Sequence, residues 1–292
     1  MNNEVYRFNV GDFECLTISD GTFTYAPPLI PRPAAFLFAN APKELLDQAL
    51  RNHGIQPEQW REFATPFTCV MVNTGKHKVL VDTGADGLTP TTGRLLLNLQ
   101  AVGIRTSDID TVILTHGHED HVGGNTDAQG KPTFPKARYV MWKEEWTFWT
   151  SEQAEKLYEK SELADTRKKL LPIQHQLDLL DHEAETVPGI SAIAAPGHTF
   201  GHIAVAISSN AEQLLCVSDA FLHPIHIEHP EWYAAHEVAP EQLIKTRHYL
   251  LNRAATDKAL MMVFHFPFPG LGRVVEKGIG WQWQPIQPLA ST

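Results

Sequence analysis

Three cysteines in 292 residues, Cys15, Cys69 and Cys216, are too few, too far apart and odd in number for a disulfide framework, which favours a reducing compartment. Cys69 in FTCVMV and Cys216 in LLCVSD lie in apolar, strand-like runs and read as small buried hydrophobes. No apolar stretch reaches about 18 residues, so no membrane-spanning helix is expected. The opening MNNEVYRFNVGDFE has neither the basic stretch nor the apolar run of a signal peptide, and the reading is a cytoplasmic protein. Positive charge is scarce. Lys and Arg number 24 against 34 Asp and Glu, a formal net charge of -10, which argues against nucleic acid or an anionic membrane as partner. There is no GxSxG nucleophile turn, no phosphate-binding P-loop and no dinucleotide fingerprint.

Hydrophobic residues make up 43% and charged residues 20%, a globular composition with ample material for a core. Strand-like and helix-like segments alternate, with no low-complexity run and no flexible linker, which predicts one layered α/β domain over residues 1–292. Residues 5–24 read as two strands around Gly11-Asp12. Residues 25–42, rich in Pro and Phe, read as an extended arm; with the helix at 43–52 this 25–60 region is a candidate lid or dimer contact. Strands are predicted at 67–74 and 78–83 around a Gly75-Lys76-His77 hairpin turn, and at 111–115, 138–142, 190–195, 203–208, 213–218 and 259–264. Helices are predicted at 91–102, over a long stretch at 143–160 continuing to about 170, and at 240–254.

The chemistry gathers at strand ends. The apolar run TVILT is followed at once by His116, His118, Asp120 and His121. Three imidazoles and a carboxylate within six residues are a poor structural choice, because buried they would carry unpaired polar groups. Neutral imidazole and carboxylate are ligands for zinc-like divalent ions, and a tight turn after a rigid strand lets alternate residues face different ways. His198, Asp219 and His265 each sit just past another apolar strand, where α/β folds place ligand-binding loops, and complete a set of seven. Fifteen histidines are weak evidence as a count; these positions carry the argument.

THGHEDHVGG resembles the signature of the metallo-β-lactamase superfamily, and Gly197-His198-Thr199-Phe200-Gly201-His202 resembles its second motif. Asp219 and His265 fall in its third and fourth, and Asp82-Thr83-Gly84 fits its usual strand turn, so the likeness spans about residues 5–280. The phrasing of VNTGKHKVLVDTGADGLTPTTGRL, LTHGHEDHVGG and FPFPGLG is most similar to the methyl parathion hydrolase and N-acyl homoserine lactonase group. The resemblance implies an αβ/βα sandwich of two mixed sheets flanked by helices, with a dinuclear site at one edge. It implies one metal on His116, His118 and His198, a second on Asp120, His121 and His265, and Asp219 bridging, with His202 behind the ligands. Two divalent ions, zinc by default with Mn, Co or Fe possible on the same ligands, would supply a bridging hydroxide that attacks a carbonyl carbon or phosphorus. Asp120 and Asp219 are then catalytic as well as ligating.

The expected activity is hydrolysis of a small hydrophobic ester-like substrate: a lactone, an aryl ester or an organophosphate triester. His118 and Asp219 disfavour the flavodiiron and the class B1 and B2 branches, which the resemblance would give a carboxylate and a cysteine at these places. Some homoserine lactonases carry a tyrosine three residues after the bridging aspartate; this chain has Leu222, so His223 or Tyr233 is the candidate acid for a leaving group. Trp149, Leu222, His226, Tyr233, Phe266 and Phe268 are the candidate pocket wall. A homodimer is the family habit. The rival readings are a glyoxalase II-like thioesterase, which would want basic residues at the pocket mouth, a weak β-lactamase, and a metal-binding sensor without catalysis.

Overall fold

Runs rich in Val and Ile build two seven-stranded mixed sheets in the computed structural model, which describes residues 4–278 and 280–286. The first sheet holds, in spatial order, β1 (Val5–Val10), β2 (Phe13–Tyr25), β3 (Phe63–Asn73), β4 (Lys78–Val81), β5 (Thr111–Ile113), β6 (Arg138–Trp142) and β7 (Leu177–Leu180). Its first four strands pair antiparallel and β4 to β7 pair parallel. The second sheet runs β14 (Gly280–Pro285), β13 (Leu271–Lys277), β12 (Leu260–Met262), β11 (Glu212–Cys216), β10 (Ile203–Ser209), β9 (Ile190–Ala194) and β8 (Ala184–Val187). Only β11 and β12 pair parallel there.

Among the described residues there are eight α-helices: α1 (Pro33–Leu37), α2 (Lys43–Asn52), α3 (Leu95–Ala101), α4 (Glu119–Val122), α5 (Lys143–Thr150), α6 (Lys160–Leu170), α7 (Ile225–Glu228) and α8 (Pro240–Thr256). Alternate residues of each strand point to opposite faces, and both faces are apolar. Inward-facing Val70, Val72, Val79, Val81, Ile113 and Val140 meet Ile190, Ile203, Val205, Ile207, Leu214 and Met262 between the sheets. Outward-facing Met71, Leu80, Val112, Leu114 and Met141 pack on Leu99, Phe148, Trp149, Leu163 and Leu170, so α3, α5 and α6 cover the first sheet. Ala204, Ala206, Leu215 and Met261 pack on Leu243, Leu250, Leu251 and Ala254 of α8, which covers the second. The result is the helix–sheet–sheet–helix layering that the resemblance implies.

Several elements depart from the sequence reading. The helix expected over 143–160 stops early: α5 ends at Thr150, α6 begins only at Lys160, and Arg167 of α6 donates to the carbonyls of Trp149 (2.9 Å) and Ser151 (2.8 Å), satisfying the open end of α5. Strands β7, β8, β13 and β14 were not predicted; the last two form a hairpin in the tail. The 25–60 arm contains α1 as well as α2. Its Leu37, Phe38, Leu46 and Leu50 pack on Leu222, Ile225 and Trp232, so the arm lies against the loop that follows Asp219.

Candidate metal centre

Parallel pairing puts the C-terminal ends of β4 and β5 at one edge of the first sheet, and those of β11 and β12 at one edge of the second. These edges adjoin: Ile203 N–H donates to the Thr115 carbonyl across the sheets at 2.9 Å. Asp82 follows β4, His116 follows β5, His198 follows β9, Asp219 follows β11 and His265 follows β12. Asp82 (φ 60°) and Ser218 (φ 45°) adopt left-handed backbone, uncommon for residues with side chains and concentrated at functional turns.

All seven predicted ligand residues come together in two groups: His116, His118, His198 and Asp219, and Asp120, His121 and His265. His118 Nδ1 lies 2.9 Å from His116 Nε2 and 3.0 Å from His198 Nε2. Asp219 lies between the groups, with Oδ2 3.0 Å from His265 Nε2 and 3.4 Å from His198 Nε2, and Oδ1 3.2 Å from His121 Nε2. Asp120 Oδ2 is 3.5 Å from His265 Nε2 and 3.6 Å from His121 Nε2.

The far nitrogens fix which atoms face inward. His121 Nδ1 donates to Asp82 Oδ2 at 2.8 Å and His198 Nδ1 to Glu237 Oε2 at 2.7 Å. Thr115 Oγ1 gives its one proton to Asp82 Oδ2 at 2.8 Å, so it accepts from His116 Nδ1 at 3.1 Å. His265 Nδ1 meets Thr65 Oγ1 at 3.0 Å and the Pro66 carbonyl at 3.2 Å. His118 is turned the other way, with Nε2 against Tyr158 Oη at 2.9 Å. Each ring thus turns one nitrogen to the centre, and with a cation there that nitrogen would offer its lone pair, the outer arrangement that orients metal-ligating histidines. His121 Nε2 is buried and makes no well-aligned hydrogen bond, facing only the carboxylates of Asp219 at 3.2 Å and Asp120 at 3.6 Å, a cost a cation would remove. This donor set suits a divalent metal.

The electrostatics point the same way. Burial, with His121 and His118 as neighbours, holds His116 well below the usual imidazole range, and burial with His198 does the same to His118. Burial also pushes His121 down, but Asp219, Asp120 and Asp82 outweigh it and raise His121 well above that range. For His198, Glu237 and Asp219 outweigh burial in the same direction. Burial opposes ionisation of Asp219, yet His265 and His121 hold its carboxyl well below the carboxylate range. Buried carboxylates gathered round imidazoles create a field in which positive charge is favoured.

The other predicted residues are placed as follows. Leu222 lines a cavity of about 570 Å³ that opens onto His118, Asp120, His198, Asp219 and His265. Trp149, His226, Tyr233, Phe266 and Phe268 are not among its lining residues. Trp149 lies beneath His118, ring centroids 5.5 Å apart, with its Nε1 on Glu145. His226 accepts from Leu222 N–H and meets the Leu37 carbonyl at 2.9 Å, so it ties the arm to the wall from behind. Tyr233 joins the same two segments through its backbone, donating to Asn40 Oδ1 at 2.9 Å. Phe266 packs edge-on to Trp283 in the outer core.

His223 also lies off the cavity, among the rings of Phe38, Trp60 and His53. Burial lowers its pKa to about 3, which leaves it neutral at pH 7 and removes the proton a leaving-group acid needs. His202 stands behind the ligands, accepting from Asp219 N–H at 3.2 Å and donating to the Ala195 carbonyl at 3.0 Å.

Sequence reasoning missed much of the wall. Tyr25, Phe36, Phe63 and His236 form an aromatic face: Tyr25 stacks on Phe63 at 5.0 Å and on Phe36 at 5.4 Å, and Phe36 on His236 at 4.8 Å. It exists because β2 and β3 continue past their register shift at Ser19/Gly21 until Tyr25 faces Phe63. The lining carries Glu119, Asp120, Glu162, Asp219 and Glu237, and no Lys or Arg. Glu145 and Glu237, which support the ligand loops, gave no sequence signal beyond being acidic.

A profile of the metallo-beta-lactamase superfamily matches residues 66–264. A protein of Mycobacterium tuberculosis named as a probable metallo-hydrolase is 28% identical over 190 residues, 53% of this chain and 56% of that protein; the chain thus spans little over half of that relative. An N-acyl homoserine lactonase of Bacillus cereus is 24% identical over 204 residues, 62% of this chain and 73% of the relative. The solved structure of AidC, a dizinc quorum-quenching lactonase with a product bound, superimposes with a TM-score of 0.87 at 26% identity, covering 98% of both chains. The profile covers more than half of the chain and the fold is shared with AidC, and the chain belongs to the metallo-beta-lactamase superfamily.

Proposed function

We propose that this hydrolase works with two divalent cations, zinc by default, and opens small neutral lactones that carry an apolar acyl chain. His116, His118 and His198 would hold one cation, Asp120, His121 and His265 the other, with Asp219 between them. Bound there, the pair would lower the pKa of a water toward neutrality and polarise the ester oxygen. The remaining work falls to the chain itself. Asp120, which lines the cavity, would take the proton of the attacking water and return it to the departing alkoxide. Glu237, Asp82, Thr115, Thr65 and Tyr158 keep the five imidazoles aimed. Leu37, Leu88, Leu157 and Leu222 with the aromatic face would take the acyl chain and keep bulk water away.

The observation that carries the substrate class is the lining away from the proposed cations: it is apolar with Glu119 and Glu162, and has no Lys or Arg to meet an anionic group on the substrate. That favours neutral lactones, aryl esters and phosphotriesters over glutathione or coenzyme A thioesters and over carboxylate-bearing β-lactams. The lactone is preferred because two relatives, AidC and the Bacillus cereus enzyme, are named lactonases. The aromatic face keeps aryl esters and phosphotriesters as a second reading, since it would stack on a flat leaving group.

The test is ring opening of N-acyl homoserine lactones of six to ten carbons by zinc-loaded protein, with a chelated control. Chelator-sensitive opening with kcat/KM above about 10⁴ M⁻¹s⁻¹ is the expected result. Slow opening beside fast turnover of an aryl ester would move the assignment to the second reading. Fast turnover of an anionic thioester would overturn both.

A further inference from the structure

Helix α5 reaches the metal centre from behind and ends its approach on one buried acid. Glu145 is fully buried, and each of its carboxylate oxygens accepts two hydrogen bonds. Oε1 accepts from Gly117 N–H at 2.9 Å and Trp149 Nε1 at 2.6 Å; Oε2 accepts from Thr199 Oγ1 at 2.7 Å and Gly201 N–H at 2.9 Å. Gly117 stands between His116 and His118, and Thr199 follows His198. One carboxylate therefore grips both loops that carry the three imidazoles of the first group.

The glycines show how close the grip is. A Cβ on Gly117 would fall 2.2 Å from Trp149 Nε1, and one on Gly201 would fall 2.4 Å from the Glu145 backbone nitrogen. Both motif positions are thus glycine for the sake of α5. The second group does not touch Glu145. Asp82 accepts from His121 Nδ1 at 2.8 Å and Thr65 meets His265 Nδ1, while Asp82 reaches the first group only through Thr115, the partner of His116. Burial raises the Glu145 carboxyl from its ordinary value while the four donors oppose that shift.

We infer that Glu145 is a positioning residue for one half of the centre: it fixes the separation of the 116–118 and 198–201 loops, and with it the cation affinity of the His116, His118 and His198 group. The inference rests on the two-cation reading above. Its mechanism is geometric. A carboxylate offers only acceptors, so four converging donors fit it. The amide of a glutamine would turn an –NH₂ toward two of those donors and force the loops apart.

The experiment compares full-length wild type with Glu145→Gln, Glu145→Asp and Thr199→Val by zinc competition against a chromophoric chelator and by visible absorption of cobalt-substituted protein. Wild type should hold two ions per chain. Glu145→Gln should release one of them about 10- to 100-fold more readily, the range for changes at groups that orient ligands, and keep the other at wild-type affinity. Glu145→Asp, which keeps the charge, should rescue part of the loss. Thr199→Val removes a single donor in an isosteric change and should weaken the same ion several-fold, which keeps the inference testable if Glu145→Gln does not fold. Two ions at wild-type affinity in Glu145→Gln, or in Thr199→Val when Glu145→Gln does not fold, would overturn it, as would equal weakening of both ions. A wild type that binds no pair of ions would instead remove the two-cation reading, and the inference with it.

Discussion

Asp219 is within 3.4 Å of imidazole nitrogens from both ligand groups, so its loss would reach both halves of the proposed site. Asp219→Ala should lower bound metal and hydrolysis together, measured by metal content and rate on the same preparation; full activity would refute its place between the ions. The cavity wall makes a different kind of prediction. Phe36 packs on Tyr25 and His236, and burying a side chain of this size is worth about 1.5–3 kcal/mol. Phe36→Ala should therefore raise KM for a ten-carbon acyl lactone by about 10- to 100-fold and leave metal content unchanged. A fall in kcat with KM unchanged would show that the acyl chain does not lie there.

At the scale of elements, the site depends on how closely α5 meets two loops. Gly201→Ala places a methyl against the backbone of that helix, an overpacking that typically costs about 1–3 kcal/mol. Thermal unfolding of the zinc-loaded variant should show the loss, and an unchanged transition would mean that α5 can move aside. The end of α5 was not readable in the periodicity because Arg167, from the next helix, supplies the donors that stop it. The hairpin of β13 and β14 could have been found: Gly280-Trp281-Gln282-Trp283-Gln284 alternates as a half-buried strand does, but its Pro- and Gly-rich surroundings masked the signal.

For the whole molecule, the acidic lining agrees in sign with the net charge of -10. A zinc-loaded preparation should turn over a neutral lactone at least about 100-fold more efficiently than an S-acylglutathione of equal chain length, measured as kcat/KM, if lining charge decides specificity. The ions should also hold the two sheets together, since each proposed group takes ligands from loops of both. A ligand at about 100 times its Kd adds about 2.7 kcal/mol, so chelation should lower Tm by about 5 °C or more. An unchanged Tm after complete metal removal would contradict that coupling.

Some of this is decided by the chain alone. Apolar runs set where strands form, and HxHxDH directly after one of them puts its polar side chains at a strand end whatever the packing. Residues fixed by local covalent spacing, His116 to His121, were legible for that reason, and the motifs around His198, Asp219 and His265 carried enough local pattern to join them. The cavity was not legible. Tyr25, Phe36, Phe63 and His236 come from separate segments of the chain and meet only because β2 and β3 extend and the arm folds onto the loop after Asp219. The same holds for Glu145 and Glu237, whose meaning lies in donors up to 56 residues away. His223 had the right residue type and the right sequence distance, and only tertiary packing sets it off the cavity, among the rings of Phe38, Trp60 and His53.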